Sequence, residues 1–329
     1  MSEKSSGEQR NQSEPSQWER DLLNRMVMAT VAENRRSRRW GIFFKLLTFG
    51  YLFLILAVFL WSDKLKVAQT GAAEHTALIE VKGLISSETK ASADKVVTAL
   101  RNAYEDKKTK GIILRMNTPG GSPVQSRYIN REMVRLKEKY PDIPVYAVVS
   151  DICASGGYYI AAAADKIYAD EGSIVGSIGV LINGFGFVDG MRELGIERRL
   201  ITAGENKGIL DPFSPLQQSD KEHVQRMLDQ LHDQFIATVK EGRGERLKVD
   251  EHPELFTGLF WSGEEAKRLG LIDEFGSSSY VAREVIGVEE IVDFTQKEEV
   301  WDRLARNLGA GAASVFAAIS GLGEGLTIR

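Results

Sequence analysis

The sequence predicts an α/β domain with mainly parallel strands, preceded by one membrane-spanning helix. Strand-like apolar segments alternate with amphipathic helical segments from about residue 77 to residue 277. That alternation is typical of a parallel sheet whose strands are joined by helices. An uncharged apolar segment, residues 46–61, lies ahead of the alternating pattern. The chain has 329 residues, which is enough for one large domain or two ordinary ones.

The membrane anchor is predicted at residues 40–61. A helix needs about 20 mostly apolar residues to cross a bilayer, and this segment is interrupted only by Lys45, close to its start. Trp40 and Trp61 bracket the segment as interfacial aromatic residues do. The sequence RRSRR, residues 35–39, comes directly before it, so the positive-inside rule places residues 1–39 in the cytoplasm and the rest of the chain outside.

Composition divides the remaining chain into four parts. Residues 1–39 form a partly disordered N-terminal segment, because their first part is polar and lacks apolar periodicity. Within this segment, residues 18–34 could form a short amphipathic helix. Residues 62–74 are a tether, residues 75–295 the folded domain, and residues 296–329 a less regular tail.

Periodicity predicts the elements of the folded domain. Strands are expected at residues 77–83, 111–117, 144–150, 166–170 and 196–202. Helices are expected at residues 92–106 and 124–140, from near Ser155, within 219–246, and from Ser262 to Gly270 with a short strand after it. The long helix carries an apolar stripe made by Val224, Met227, Leu228, Leu231 and Phe235.

Charge and composition exclude several classes of protein. The net charge of −4 argues against a dedicated nucleic-acid binder, so no nucleic-acid partner is expected. The single cysteine, Cys153, rules out an intrachain disulfide and a cysteine-based zinc site. The four histidines are scattered without metal-ligand spacing. We therefore expect neither a metal ion nor an organic cofactor.

A glycine turn follows the second predicted strand. In NTPGGS, residues 117–122, two glycines let the backbone turn sharply and leave amide N–H groups unshielded by a Cβ atom. Such donors could stabilise a developing oxyanion. The same pattern also fits an ordinary turn between a strand and a helix.

Ser155 lies in a second turn, ASGGYY, residues 154–159. A serine at a helix N-terminus could be a nucleophile near the positive end of the helix dipole, with the next amide as an oxyanion donor. The alternative is an N-cap whose hydroxyl binds the first turn. No histidine lies between His75 and His223, so the usual base is missing from this region.

Lys207 is the candidate base. It lies in a glycine-containing loop, residues 201–215, among few other positive charges. A lysine accepts a proton only when it is neutral, which requires burial or charged neighbours to lower its pKa from about 10.4. Serine activated by lysine is a known variant of the catalytic triad. A solvated loop lysine is the alternative.

Taken in order, these motifs resemble the signal peptide peptidase A family of membrane-anchored serine proteases. The resemblance extends from residue 77 to about residue 280 and rests on PGGS, ASGGYYIAAAADKIYA, SIVGSIGV, AGENKGILDPFSP, GRGER and FWSGEEAKRLGLIDEFG. It implies a crotonase-like (Clp-protease-like) spiral domain behind one transmembrane helix. Cys153 departs from the family pattern, which more often has alanine or another small residue there.

The resemblance also implies roles for individual residues. Ser155 would be the nucleophile and Lys207 the general base and acid, with Ser177 orienting the lysine amine. The amides of Gly121 and Gly156 would form the oxyanion hole. The substrates would be residual signal peptides and other unfolded or membrane-associated peptides.

The chain carries one family repeat rather than two, as in the short form of the family. That form builds an octamer whose protomers share active sites, so the implied partners are peptides, the lipid bilayer and further copies of this chain. The implied location is the bacterial inner membrane, with a periplasmic or extracytoplasmic catalytic domain. The alternatives are a crotonase-type acyl-CoA enzyme, a non-catalytic membrane scaffold, and Cys153 in place of the serine as nucleophile.

Overall fold

The computed structural model describes residues 38–56 and 73–296, together with a few isolated helical positions before residue 38. The chain divides into two compact units, Met1–Ala72 and Ala73–Arg329. Most of the predicted N-terminal segment, most of the predicted tether and nearly all of the predicted tail lie outside the described residues.

Helix α1, Arg38–Leu56, is the element described in the first unit. It has 19 residues and a mean hydropathy of 1.5, and among the described helices it alone is long and apolar enough to cross a membrane. Its side chains are exposed throughout. The predicted anchor, residues 40–61, coincides with α1 as far as Leu56, and residues 57–61 lie outside the described part.

The second unit is built on one sheet of eight strands. These are β1 His75–Lys82, β2 Thr109–Thr118, β3 Val145–Ala154, β4 Lys166–Ala169, β5 Ile174–Gly176, β6 Phe260–Ser262, β7 Glu274–Phe275 and β8 Ile291–Asp293. Their main order is β6-β5-β3-β2-β1-β8, with β4 paired to β3 and β7. Among the described strands, all pairs are parallel except β5 with β6.

Strand β3 divides the sheet. Its first half pairs with β4 through Tyr146–Val148, and its last residues, Ile152–Ala154, pair with β5. The register between β2 and β3 is interrupted between Met116 and Thr118. The end of β3 therefore bends away from β4, and the residue that follows it, Ser155, lies beside the end of β5.

The helices of this unit connect and cover the strands. They are α2 Ala93–Glu105, α3 Pro123–Lys139, α4 Gly156–Ala161, α5 Val188–Glu193, α6 Gln218–Arg243, α7 Gly263–Arg268 and α8 Ser278–Tyr280, which continues as a π-helical turn, Val281–Ile286. Short 3₁₀ turns occur at Gly244–Arg246 and Pro253–Phe256. Ser122 and Ser262 accept hydrogen bonds from Gln125 N and Glu265 N, so they cap α3 and α7.

The core lies between the sheet and α2, α3 and α4. Strand β2 is a nearly continuous apolar run with Ile112, Ile113 and Leu114 fully buried, as expected for a parallel strand covered on both faces. Helix α2 buries one face through Val96, Leu100 and Tyr104. This confirms the predicted α/β class with a largely parallel sheet.

Two predicted features differ from the structure. Residues 196–202 were predicted as a strand, but they pair with no described strand and Ile201 is 95% exposed. The prediction is wrong because apolar alternation makes a strand only where a neighbouring backbone can pair with it. Helix α6 forms as predicted, yet its N-terminal part is uncovered and its apolar stripe is fully buried only from Phe235 onward.

Residues 181–216, which we call the exposed arm, leave the sheet after β5 and return to α6. None of them is fully buried. The arm folds on itself, since Phe187 N–H donates to Pro212 O and the rings of Phe187 and Phe213 stack 5.5 Å apart. Its exposed apolar side chains include Leu181, Phe185, Leu194, Leu200, Ile201 and Leu216.

Candidate active site

Ser155 joins β3 to α4 in a strained backbone conformation. Its φ of 50° and ψ of −122° lie outside the ordinary regions for a non-glycine residue. Such a conformation costs about 1–3 kcal/mol and is retained where the surrounding structure enforces it, often at functional sites. The Ser155 N–H donates to Gly176 O over 2.8 Å, which ties the turn to β5.

The Ser155 hydroxyl is not an N-cap. It makes no capping hydrogen bond to α4, and within the described chain it has no hydrogen-bond partner. This removes the alternative that Ser155 serves only to cap the start of a helix. The hydroxyl instead faces a cleft of about 580 Å³ that Ser155 lines.

The glycine turn after β2 packs directly against Ser155. Gly120 has a φ of 101°, and a Cβ atom there would lie 2.8 Å from both Gly156 N and Ser155 Cβ. Gly121 has a φ of 147° and is held against Ile85, whose N–H donates to Gly120 O and whose carbonyl accepts from Ser122 N–H. A side chain on Gly120 would displace the backbone beside the serine, and one on Gly121 would displace the Ile85 backbone.

The amides of Gly121 and Gly156 lie next to one another. A Cβ built on Gly156 would be 3.3 Å from Gly121 N, and both residues line the Ser155 cleft. Neither N–H donates to a carbonyl among the described turns and loops. Two free donors beside an uncapped serine are what an oxyanion hole requires.

Ser177 lies on the same cleft. It follows β5 with a φ of 52°, and its N–H donates to Leu259 O over 2.7 Å. The next residue, Ile178, accepts a 3.1 Å hydrogen bond from the His232 ring. The wall continues through Gly179 and Val180, so the last part of SIVGSIGV lines the cleft.

Lys207 does not line this cleft. It is exposed on the exposed arm, in a turn closed by its own N–H donating to Gly204 O over 3.1 Å. The structure thus brings together Ser155, Ser177, Gly121 and Gly156 but not Lys207. Within one described chain, no charged residue lines the cleft.

The structure also bears on Cys153 as a nucleophile, on the acyl-CoA enzyme alternative and on metal binding. Cys153 is fully buried and its burial raises the pKa of the thiol, which argues against a thiolate nucleophile. An acyl-CoA hydratase would need a carboxylate at the site, and none lines the described cleft. The described residues include no group of three or more histidine, cysteine, aspartate or glutamate side chains placed to hold a metal ion.

The apolar side of the cleft was not predicted from the sequence. Leu231 and Phe235 of α6 and Tyr159 of α4 form this side. Leu231 and Phe235 were identified only as part of a helical stripe, which gives no indication of what the stripe faces. The spacing of Tyr159, one helical turn after Ser155, was the available signal.

Comparison with known proteins shows which family the chain resembles. The model of peptidase family S49 matches residues 137–290. A Methanocaldococcus jannaschii protein named as a candidate protease is 32% identical over 230 residues, covering 70% of this chain and 71% of that protein. A candidate signal peptide peptidase SppA of Enterococcus faecium is 32% identical and covers 62% of this chain and 55% of its own length.

Another relative is much longer than this chain. A Brucella abortus protein named Na(+)/H(+) antiporter NhaA is 40% identical over 230 residues, covering 69% of this chain and 31% of that protein. The chain thus spans about a third of the length of this relative.

The fold and the family match define an α/β protein of the Clp-protease-like kind, with Ser155 in the lining of its cleft. The chain belongs to peptidase family S49, the family of signal peptide peptidase A.

Proposed function

We propose that the protein is a membrane-anchored serine endopeptidase that uses Ser155 as nucleophile and Lys207 as general base and acid. One observation carries the proposal. Ser155 has a strained, uncapped backbone position directly beside the free amides of Gly121 and Gly156. Family membership independently supports a peptidase.

The reaction follows from these groups. Ser155 Oγ attacks the scissile carbonyl while the neutral Lys207 amine takes the hydroxyl proton. The carbonyl oxygen becomes an oxyanion held by the Gly121 and Gly156 N–H groups, each such donor being worth about 3–4 kcal/mol of barrier in a well-studied protease. The Lys207 ammonium then protonates the departing amine, and water hydrolyses the acyl-enzyme. Ser177 orients the Lys207 amine.

The position of Lys207 supports a site shared between copies. Lys207 lies on the exposed arm and not in the cleft of its own chain. The arm presents Ile201, Phe185 and Leu194 at 95%, 82% and 76% exposure, and apolar surface of this extent marks an interaction site. A second copy covering the arm would bury Lys207, and burial favours the neutral lysine that the base requires. An octamer is our expectation for the assembly.

The substrates we propose are residual signal peptides and other unfolded peptides cleaved after small or apolar residues. The cleft beside Ser155 is lined by Val180, Leu181 and Phe235, which suits an apolar side chain. A peptide would bind it in an extended conformation. A relative named as a candidate signal peptide peptidase supports this class.

Helix α1 would anchor this activity to the bacterial inner membrane. The arginines at residues 35–39 favour a cytoplasmic N-terminus and an extracytoplasmic second unit. Signal peptides remain in that membrane after cleavage from their proteins, so an anchored peptidase would meet them there.

The test is peptidase activity of the full chain in detergent, with matched Ser155→Ala and Lys207→Ala variants sized by light scattering. Fluorogenic peptides with an apolar residue before the scissile bond serve as substrates. Both variants are expected to assemble normally and to lose activity by about 10³-fold or more, because each removes a member of one catalytic unit. Mixed assemblies of the two inactive variants should recover part of the activity.

The outcomes separate the parts of the proposal. An assembled parent that cleaves no peptide contradicts the peptidase. Activity that survives Lys207→Ala shows that Lys207 is not the general base. Two inactive variants that never complement after subunit exchange contradict the shared site but leave the dyad in place.

A further inference from the structure

Tyr159 separates two cavities of the second unit. It lines the Ser155 cleft of about 580 Å³ and also a groove of about 460 Å³ between α3 and α6. The groove is lined by Arg127, Arg131, Val134, Ala162 and Thr238 among others. In the described chain, Tyr159 is the residue that these two linings have in common.

Contacts on both sides fix the Tyr159 ring in this position. On the cleft side it packs on Phe235, with ring centroids 5.1 Å apart. On the groove side a 2.9 Å hydrogen bond joins its hydroxyl to that of Thr238. Its carbonyl accepts from Asn130 Nδ2 over 2.8 Å, and the residue is only 7% exposed. The ring is therefore a fixed wall and not a mobile side chain.

The sequence places this wall next to the reacting group. Tyr159 follows Ser155 by four residues, and its N–H donates to Ser155 O over 3.0 Å in the first turn of α4. Both residues line the same cleft. The ring and the Ser155 side chain thus face the same cleft.

We propose that Tyr159 is a specificity-determining residue, whose ring ends the cleft and limits the length of the side chain accepted before the scissile bond. This inference rests on the proposed peptidase activity. With the ring in place, a small or medium apolar side chain fills the space beside Ser155, and a longer one meets the phenol. Without the ring, the cleft continues into the groove, and a longer side chain can extend past residue 159.

The test uses three fluorogenic peptides that differ only in having Ala, Leu or Phe before the scissile bond. Tyr159→Ala is expected to raise the ratio of kcat/KM for the Phe peptide to that for the Ala peptide at least tenfold, because one buried methylene already changes such ratios by about tenfold or more. Tyr159→Phe keeps the ring and should leave the ratio within twofold of the parent.

Tyr158 provides a matched control. It is the neighbouring tyrosine and is fully buried. Its hydroxyl donates a 2.7 Å hydrogen bond to Leu271 O, and it lines neither cavity. Tyr158→Ala removes the same atoms from the core and should lower stability without changing the ratio. If Tyr159→Ala fails to assemble, Tyr159→Leu takes its place, because leucine keeps an apolar but shorter side chain. The ratio of kcat/KM for the Phe peptide to that for the Ala peptide in Tyr159→Leu then tests the role of Tyr159.

The possible failures are distinct. A parent that cleaves none of the three peptides contradicts the proposed function. An active parent whose ratio is unchanged in assembled Tyr159→Ala or Tyr159→Leu contradicts only the role of Tyr159. A ratio that moves equally in Tyr158→Ala shows a general loosening of the core and also overturns the inference.

Discussion

The Ser155 amide donates to the Gly176 carbonyl over 2.8 Å, and this bond fixes the relation between two turns with unusual backbones. Ser155 and Ser177 both have positive φ, and Ser177 directly follows Gly176. Because β5 pairs with the end of β3, the two serines reach the same cleft. Changes in this small region should therefore affect activity more than stability.

The contact between Gly156 and Ser126 should control the oxyanion hole. A Cβ atom on Gly156 would lie 2.5 Å from the buried Ser126 Oγ, so Gly156→Ala must displace either that hydroxyl or the Gly156 amide. We expect kcat to fall about 10²-fold, the cost of losing one oxyanion donor. Adding Ser126→Ala removes the obstructing oxygen, so kcat of the double variant should be at least tenfold higher than that of Gly156→Ala. Failure of the double variant to recover would show that the clash is not what lowers activity.

His232 should position the cleft wall. Its ring donates to Ile178 O over 3.1 Å, next to Ser177. His232→Ala is expected to lower kcat/KM several-fold, mainly by raising KM, because the wall that contacts substrate loses a restraint. His223→Ala, an exposed position on the same helix, is the control and should change neither constant. Equal effects of the two substitutions would refute a local role for His232.

Removal of one partner of the ion pair between Arg243 and Asp273 should strongly destabilise the fold. The Arg243 side chain is completely buried, and its Nη1 donates to Asp273 Oδ2 over 2.7 Å. Removing one partner of a buried pair costs about 3–5 kcal/mol because the other charge is left unpaired. Asp273→Asn should lower the free energy of unfolding at pH 7 by several kcal/mol in urea titrations. Asp189→Asn breaks the exposed pair with Arg192 and should cost less than about 1 kcal/mol.

The same pair should make stability depend on pH. Burial by itself raises the pKa of Asp273, but the hydrogen bonds and charge of Arg243 outweigh it and hold that pKa below its usual range. A carboxyl with a lowered folded pKa stabilises the fold above its unfolded pKa, near 3.9, and that contribution is lost as pH falls through the folded value. Stability of the parent should therefore drop more steeply below about pH 4 than that of Asp273→Asn. Parallel pH profiles of unfolding would contradict this.

The exposed arm should be required for assembly. Ile201 is 95% exposed, and a charge there would be buried against a second copy in the proposed oligomer. Ile201→Asp should yield smaller particles by light scattering and lose activity, while the circular dichroism of the chain stays unchanged. Val134→Asp, on the exposed side of α3, is the control and should leave particle size unaltered. An active, full-sized Ile201→Asp assembly would argue against the arm as an interface.

Local sequence signals predicted the elements that depend on nearby residues. The apolar segment forms part of α1 as far as Leu56, the alternating strands and helices form the largely parallel sheet, and the helix predicted from Ser262 is α7. The strand predicted at residues 196–202 failed because a strand also needs a partner backbone, which no nearby residue reveals. The apolar stripe of α6 was predicted correctly, but periodicity could not show that Leu231 and Phe235 face the site.

The sequence by itself determined the class of the fold, the apolar helix ahead of it, and the serine and glycines that could perform the chemistry. These depend on residues close together in the chain, where turn chemistry and periodicity act. Only the tertiary structure decided that the Ser155 hydroxyl is free of its helix, that Gly121 and Gly156 amides meet beside it, and that Lys207 lies outside its own cleft. Those relations join segments distant in sequence, and long-range packing and strand pairing alone bring them together.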